Sequence, residues 1–180
     1  MPTTITGTDG VSQVQAGAVE SGDLASGAIG SGDLPAGSVI QVVQVSDDTL
    51  RRTTSDYPQT SGITASITPS SASSKIYVLV ICSVFLEDEG SNSNKIAFLG
   101  IKNNTSGVEL NKARYSVHLS NATRDAANMV SFSHLDSPNS TSSQTYEILF
   151  GRVNSTFDNP VELRNEVGSA STITLMEIAG

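Results

Sequence analysis

The chain has 180 residues, enough for one domain of ordinary size and an appendage; at 37% apolar residues, with no Trp, it is poorer than average in core-forming side chains. Ser, Thr, Asn and Gly fill the difference, which suits a β protein with polar faces and many turns better than a helical one. Ten basic against eighteen acidic residues give a net charge of −8, which argues against nucleic acid as a partner, and no apolar run approaches the roughly 20 residues of a membrane span.

The first 38 residues read as one region. Glycine returns every fifth position (Gly17, Gly22, Gly27, Gly32, Gly37), and so does an aliphatic residue (Val14, Val19, Leu24, Ile29, Leu34, Val39). The tetrad SGDL occurs at 21–24 and again at 31–34, so the true repeat is near ten residues. A helix would space its apolar residues by three and four, a strand by two, and collagen would need glycine every third residue. Each glycine permits a close backbone approach, and each aliphatic anchor can be buried only by something outside its own short repeat. Three copies wound about a common axis would supply that cover, as would a groove on another protein. These eleven residues are the candidate assembly residues of an extended arm or thin trimeric stalk spanning 1–38. The same region holds Asp9, Glu20, Asp23 and Asp33 and no Lys or Arg; the first basic residue is Arg51. Its start also lacks the basic, apolar, small-residue order of a signal peptide, so synthesis in a cytosol is expected.

From Val39 the pattern is that of strands. VIQVVQVS (39–46) and GITASIT (62–68) alternate, the second with Ile63, Ala65 and Ile67 on one face. KIYVLVICSVFLE (75–87) is apolar on both faces and predicts a central strand covered on each side. KIAFLGIK (95–102), ARYSVHL (113–119), MVSFSHLD (129–136), TYEILFGR (145–152), PVELR (160–164) and TITLMEI (172–178) follow, separated by stretches of turn chemistry such as TPSSASS and DSPNSTSS. NATRDAAN (121–128) is the one stretch that suggests a brief helical turn. Eight or nine short strands between turns predict an all-β head, residues 39–180, built as an antiparallel jelly-roll-like sandwich.

Candidate chemistry is sparse. His134 shares a strand face with Val130 and Phe132, and Asp136 extends that face; a His-x-Asp pair supplies two metal ligands at most, so a structural histidine is expected there and at His118. Glu87, Asp88 and Glu89 form the one acidic run, read as a solvated loop in preference to a calcium site. Cys82, the only cysteine, reads as a buried small hydrophobe. The Asn-x-Ser/Thr triplets at Asn103, Asn104, Asn121, Asn139 and Asn154 read as polar loop residues. With no nucleophile elbow, zinc-protease motif or phosphate loop, no enzyme activity, cofactor or metal is expected.

The repeat GAVESGDLASGAIGSGDLPAGSV (17–39) resembles the ten-residue repeats near the start of many tailed-bacteriophage fibre proteins. SITPSSASSKIYVLV (66–80), SFSHLDSPNSTSSQTYEILF (131–150) and STITLMEIAG (171–180) resemble the small β-sandwich tips of such fibres. The resemblance implies a homotrimeric virion protein whose arm attaches to the particle and whose head faces outward. The chain departs from long tail fibres in having no large docking domain, extended shaft, heptad coiled coil or His-x-His repeat. A short tail fibre, a head fibre and a capsid decoration protein that clamps its neighbours all fit that pattern. On the fibre reading, loops 87–94, 103–107, 119–129 and 136–143, with Tyr57, Tyr77, Tyr115 or Tyr146 nearby, would meet a host glycan or protein.

Overall fold

A computed structural model describes residues 30–86, 93–119, 126–153, 160–163 and 170–180. The chain divides into two units, Met1–Leu34 and Pro35–Gly180. Of the first, the described part is one short 3-10 turn, Ser31–Asp33, in the second copy of the SGDL repeat. The Asp33 amide donates to the Gly30 carbonyl (3.0 Å) and the Gly30 amide donates to Asp33 Oδ2 (2.8 Å). The carboxylate thus reaches back to an amide the turn leaves free, as in a helix capping box.

The second unit is all β. Its strands are β1 (Val39–Asp47), β2 (Arg51–Thr53), β3 (Gln59–Ile67), β4 (Lys75–Leu86), β5 (Ser93–Asn103), β6 (Val108–Leu119), β7 (Ala126–Asp136), β8 (Gln144–Arg152), β9 (Val161–Leu163) and β10 (Ser171–Ile178). Every pairing is antiparallel. One sheet runs β1-β10-β4-β9-β2, with β7 on the other side of β4; the second runs β3-β8-β5-β6. Setting aside the short β2 and β9, the eight long strands pair first with last, second with seventh, third with sixth and fourth with fifth. That nesting is one long hairpin wound over on itself, which is the jelly-roll arrangement of two Greek keys.

The core lies between the sheets. Ile76, Val78, Val80, Cys82, Val84 and Leu86 of β4 all point into it and are fully buried. They meet Ile63, Ala65 and Ile67 of β3, Leu99 and Ile101 of β5, Ile148 and Phe150 of β8, and Ile173 and Leu175 of β10. Each Val, Leu, Ile or Phe among them contributes about 1.5–3 kcal/mol by leaving water, and together they give the head a closed core of its own.

Four expectations are corrected. The outward face of β4 is covered only in its second half: Ser83 and Phe85 are buried, whereas Tyr77, Leu79 and Ile81 are half-buried. Ala126–Asn128, expected in a helical turn, begin β7 instead, because they pair with Leu86, Phe85 and Val84 at the far end of the long β4; sheet pairing overrides local preference there. Strand β6 starts at Val108 rather than 113, across a bulge at Ile101/Lys102 that breaks the alternation of its first residues. The three-residue β2 was not expected at all. It pairs with β9, and Arg52 Nη2 lies 2.8 Å from Glu162 Oε1, while Arg51 Nη2 lies 2.8 Å from Asp47 Oδ2.

Candidate interaction sites

Of the candidate assembly residues, Val14, Val19, Leu24, Ile29, Gly17, Gly22 and Gly27 lie outside the described residues. Leu34 and Val39 are exposed, so two anchors of the series present bare aliphatic side chains. Gly32 has open space around the position of a side chain. Gly37 adopts φ +91°, a left-handed conformation that a side chain would strain. This turn feeds β1 and is pinned to the end of β10, where the Gly37 amide donates to the Ala179 carbonyl and the Ala179 amide to the Ser38 carbonyl, both at 2.8 Å.

The candidate polar residues mostly serve the fold. Asp136, at the end of β7, accepts from the Tyr146 hydroxyl (2.8 Å) and from Asn103 Nδ2 (3.2 Å). Asn103 Nδ2 also donates to Gln144 Oε1 (3.2 Å), and Asn103 Oδ1 accepts from the amides of Thr105 and Ser106. Asn103 is buried at the end of β5, which corrects its reading as a polar loop residue; of the triplets, Asn104 and Asn139 are in the described loops, while Asn121 and Asn154 lie outside the described residues. Tyr146 is fully buried, and burial first, then the Asp136 carboxylate, push its phenol far up from the ordinary tyrosine value. It therefore offers nothing to a ligand. Tyr77 is half-buried on the outward face of β4, Tyr57 is exposed in the β2–β3 loop, and Tyr115 lies in β6 opposite Ala97.

His134 faces the core side of β7, opposite Val78, with Asp136 two residues on but committed to Tyr146 and Asn103. His118 lies in β6 opposite Asn94; Glu87, Asp88 and Glu89 lie outside the described residues. Among the described residues no three His, Cys, Asp or Glu gather as a metal site. Cys82 is buried in the core, and burial pushes its thiol up to about 12.

A second polar cluster was not anticipated. Glu177, on β10, is fully buried and accepts from Gln41 Nε2 (2.6 Å) and from both the amide and the hydroxyl of Ser70 (2.7 Å each). Burial raises its carboxyl, but these donors outweigh it and hold the group below the ordinary carboxylate value. The cluster ties β1 and the 68–74 loop to the last strand. A shallow cleft of about 320 Å³ is lined by Arg52, Thr53, Thr54 and Pro160, and its one cation is already paired with Glu162.

No protein-family model matches this sequence, and no curated protein matches it. Among solved structures the chain is weakly similar to that of infectious bursal disease virus Gx strain, at 15% identity and TM-score 0.40, over 78% of this chain and 32% of that one. It is likewise similar to the infectious bursal disease virus VP2 subviral particle, at 15% identity and TM-score 0.36, over 78% of this chain and 33% of the other. The chain spans about a third of the length of these structures.

Proposed function

We propose that the chain is a structural protein of a bacteriophage virion, a short trimeric fibre. Arm 1–38 attaches it to the particle through the aliphatic anchors, and the jelly-roll head, 39–180, faces outward and adheres to the host surface. No catalytic step or cofactor belongs to this reading. The observation that carries it is the pairing of two unlike parts. A head with a closed core of its own follows an arm whose anchors recur without any local means of burial. Jelly rolls recur in capsid proteins and lectins, which is an analogy of fold and lends only general support.

A second reading is capsid decoration, with the acidic arm clamping neighbouring subunits and the head standing as a spike. One observation favours it. At the end of β5 and in the loop after it the amide side chains are turned back on the protein, Asn103 onto Asp136 and Gln144 and Asn104 onto Glu147 (2.7 Å). They leave less free polar surface for a receptor.

The deciding experiment is immunogold labelling and mass spectrometry of purified particles, with Leu24→Asp/Leu34→Asp as the arm variant. The protein is expected on wild-type particles, at the tail for a fibre or the head for a decoration protein. The arm variant is expected to fold and to be missing from particles. A protein never found on particles overturns both readings, and a variant incorporated at the wild-type level removes the role of the anchors.

A further inference from the structure

We propose that the outward face of the β1-β10-β4-β7 sheet is the surface through which the head packs against a second copy of this chain; the inference rests on the reading above, in which copies associate. The two outward faces of the sandwich differ in kind. On β5, β6 and β8 the outward side chains include Lys102 opposite the buried Glu147, together with the exposed Lys112 and Arg114, so that face carries charge. On the other sheet the register sets Val42, Met176, Tyr77 and Leu135 in one row across four strands. The rows beside it are Gln44, Thr174, Leu79, Ser133 and then Ser46, Thr172, Ile81, Ser131. None of these twelve positions is charged, in a chain with ten basic and eighteen acidic residues.

The face keeps large apolar side chains exposed beside its polar ones. Val42 keeps 56% of its surface, Leu135 47%, and Met129, further along β7, 52%. The face is four strands wide and three outward rows long. At strand spacings of about 4.8 Å and a rise of about 3.4 Å per residue it covers about 400 Å² before side-chain relief is counted. Met129, exposed beside its last row on β7, extends it toward the roughly 600 Å² per partner at the lower limit of stable specific interfaces.

Charge selects the occupant. Two chains of net charge −8 repel through any face that presents carboxylates, so self-association is least opposed where no charge stands. Here the uncharged face is also the apolar one. The Ser, Thr and Gln rows can exchange hydrogen bonds with their own kind across a symmetric contact, so the surface is suited to itself.

The test uses the full chain and sedimentation velocity, with Val42→Glu/Leu135→Glu as the face variant and Leu24→Asp/Leu34→Asp as the arm variant. Both face substitutions fall at exposed positions, and an unchanged urea midpoint checks that the head folds. The wild type is expected to be oligomeric and the face variant to dissociate at least tenfold more readily in a head that is still folded. A face variant as oligomeric as the wild type, with the arm variant monomeric, overturns the face while leaving association intact. A wild type that is monomeric at high concentration overturns both. A face variant that stays oligomeric but drops off particles assigns the surface to a different virion protein and overturns the second copy as occupant.

Discussion

The Tyr146 hydroxyl, on β8, donates to Asp136 Oδ2, on β7, across 2.8 Å, and so bolts one sheet of the sandwich to the other. Asn103 reaches the same oxygen from β5 and extends the bolt to Gln144. A buried network of this kind fixes how two otherwise apolar sheets register, since sliding them would strand its members without partners.

Tyr146→Phe removes one donor to a carboxylate and leaves the ring in place, so it is expected to destabilise the head by about 1–3 kcal/mol. Urea unfolding of wild type, Tyr146→Phe, Asp136→Asn and the double variant measures this. A coupling energy of about 0.5–3 kcal/mol between the two sites is expected. Additive losses would mean that the two side chains do not act on each other.

Glu177 sets the acid limit of the last strand. Its folded-state value lies below the ordinary 4.5, so the stability it contributes is fully present above pH 4.5 and is lost as pH falls from there through the folded value. Glu177→Gln cannot accept all of the donors that surround the carboxylate, from Gln41 and Ser70, and is expected to cost about 1.5–3 kcal/mol at pH 7. The gap between variant and wild type should narrow below pH 4.5. Parallel stability curves from pH 7 to pH 3 would show that the carboxylate is not the titrating group.

The strands were legible where one local pattern spoke for them. Ile63, Ala65 and Ile67 share the buried face that their spacing predicts, whereas KIYVLVIC, apolar on both faces, is fully buried on its core side alone. What could not be read was anything decided by a distant partner. Ala126–Asn128 are strand only because Val84–Leu86 lie beside them, and Arg51–Thr53 only because Val161–Leu163 do. The nested pairing of eight strands likewise depends on contacts between residues more than a hundred positions apart, such as Val43 with Leu175.

The polar residues show the same division. His134 and Asp136 do share a strand face, as their spacing requires, yet Asp136 is taken by Tyr146 and Asn103 from the other sheet. Asn103 carried a misleading signal, since its Asn-Asn-Thr-Ser context reads as an exposed turn while the residue itself is the buried last position of β5. Glu177 carried a usable one. A lone acid at an alternating core position of TITLMEI has to be either a bulge or a buried carboxylate with donors of its own.

Gly151 is required by a close backbone approach. A Cβ there would stand 2.6 Å from the Tyr57 carbonyl oxygen and 3.1 Å from its carbon, because the β2–β3 loop crosses β8 at that point. The Arg152 amide donates to the Ser55 carbonyl (2.8 Å), and Arg152 Nε lies 3.1 Å from Asp56 Oδ1. Gly151→Ala must push this loop off the strand and is expected to cost about 1–3 kcal/mol. Hydrogen exchange should show faster exchange at the Arg152 amide. Wild-type protection there would mean that the loop yields without releasing the strand.

Cys82 is expected to report on the core and to limit the head at alkaline pH. Burial raises its thiol from 9.0 to about 12, so the folded head keeps the neutral form where an unfolded chain would ionise. The stability this contributes is fully present below pH 9.0 and declines as pH rises from there toward 12. Cys82→Val keeps an apolar side chain of similar size and removes the titration. The stability difference between variant and wild type should therefore be constant from pH 7 to 8.5 and shift in favour of the variant by pH 10. The thiol of the folded wild type should also resist an aromatic disulfide reagent at pH 8 and react fully in denaturant, at a rate that follows unfolding. Rapid labelling of the folded protein would place β4 outside the core, contrary to its pairing with β10 on one side and β7 on the other.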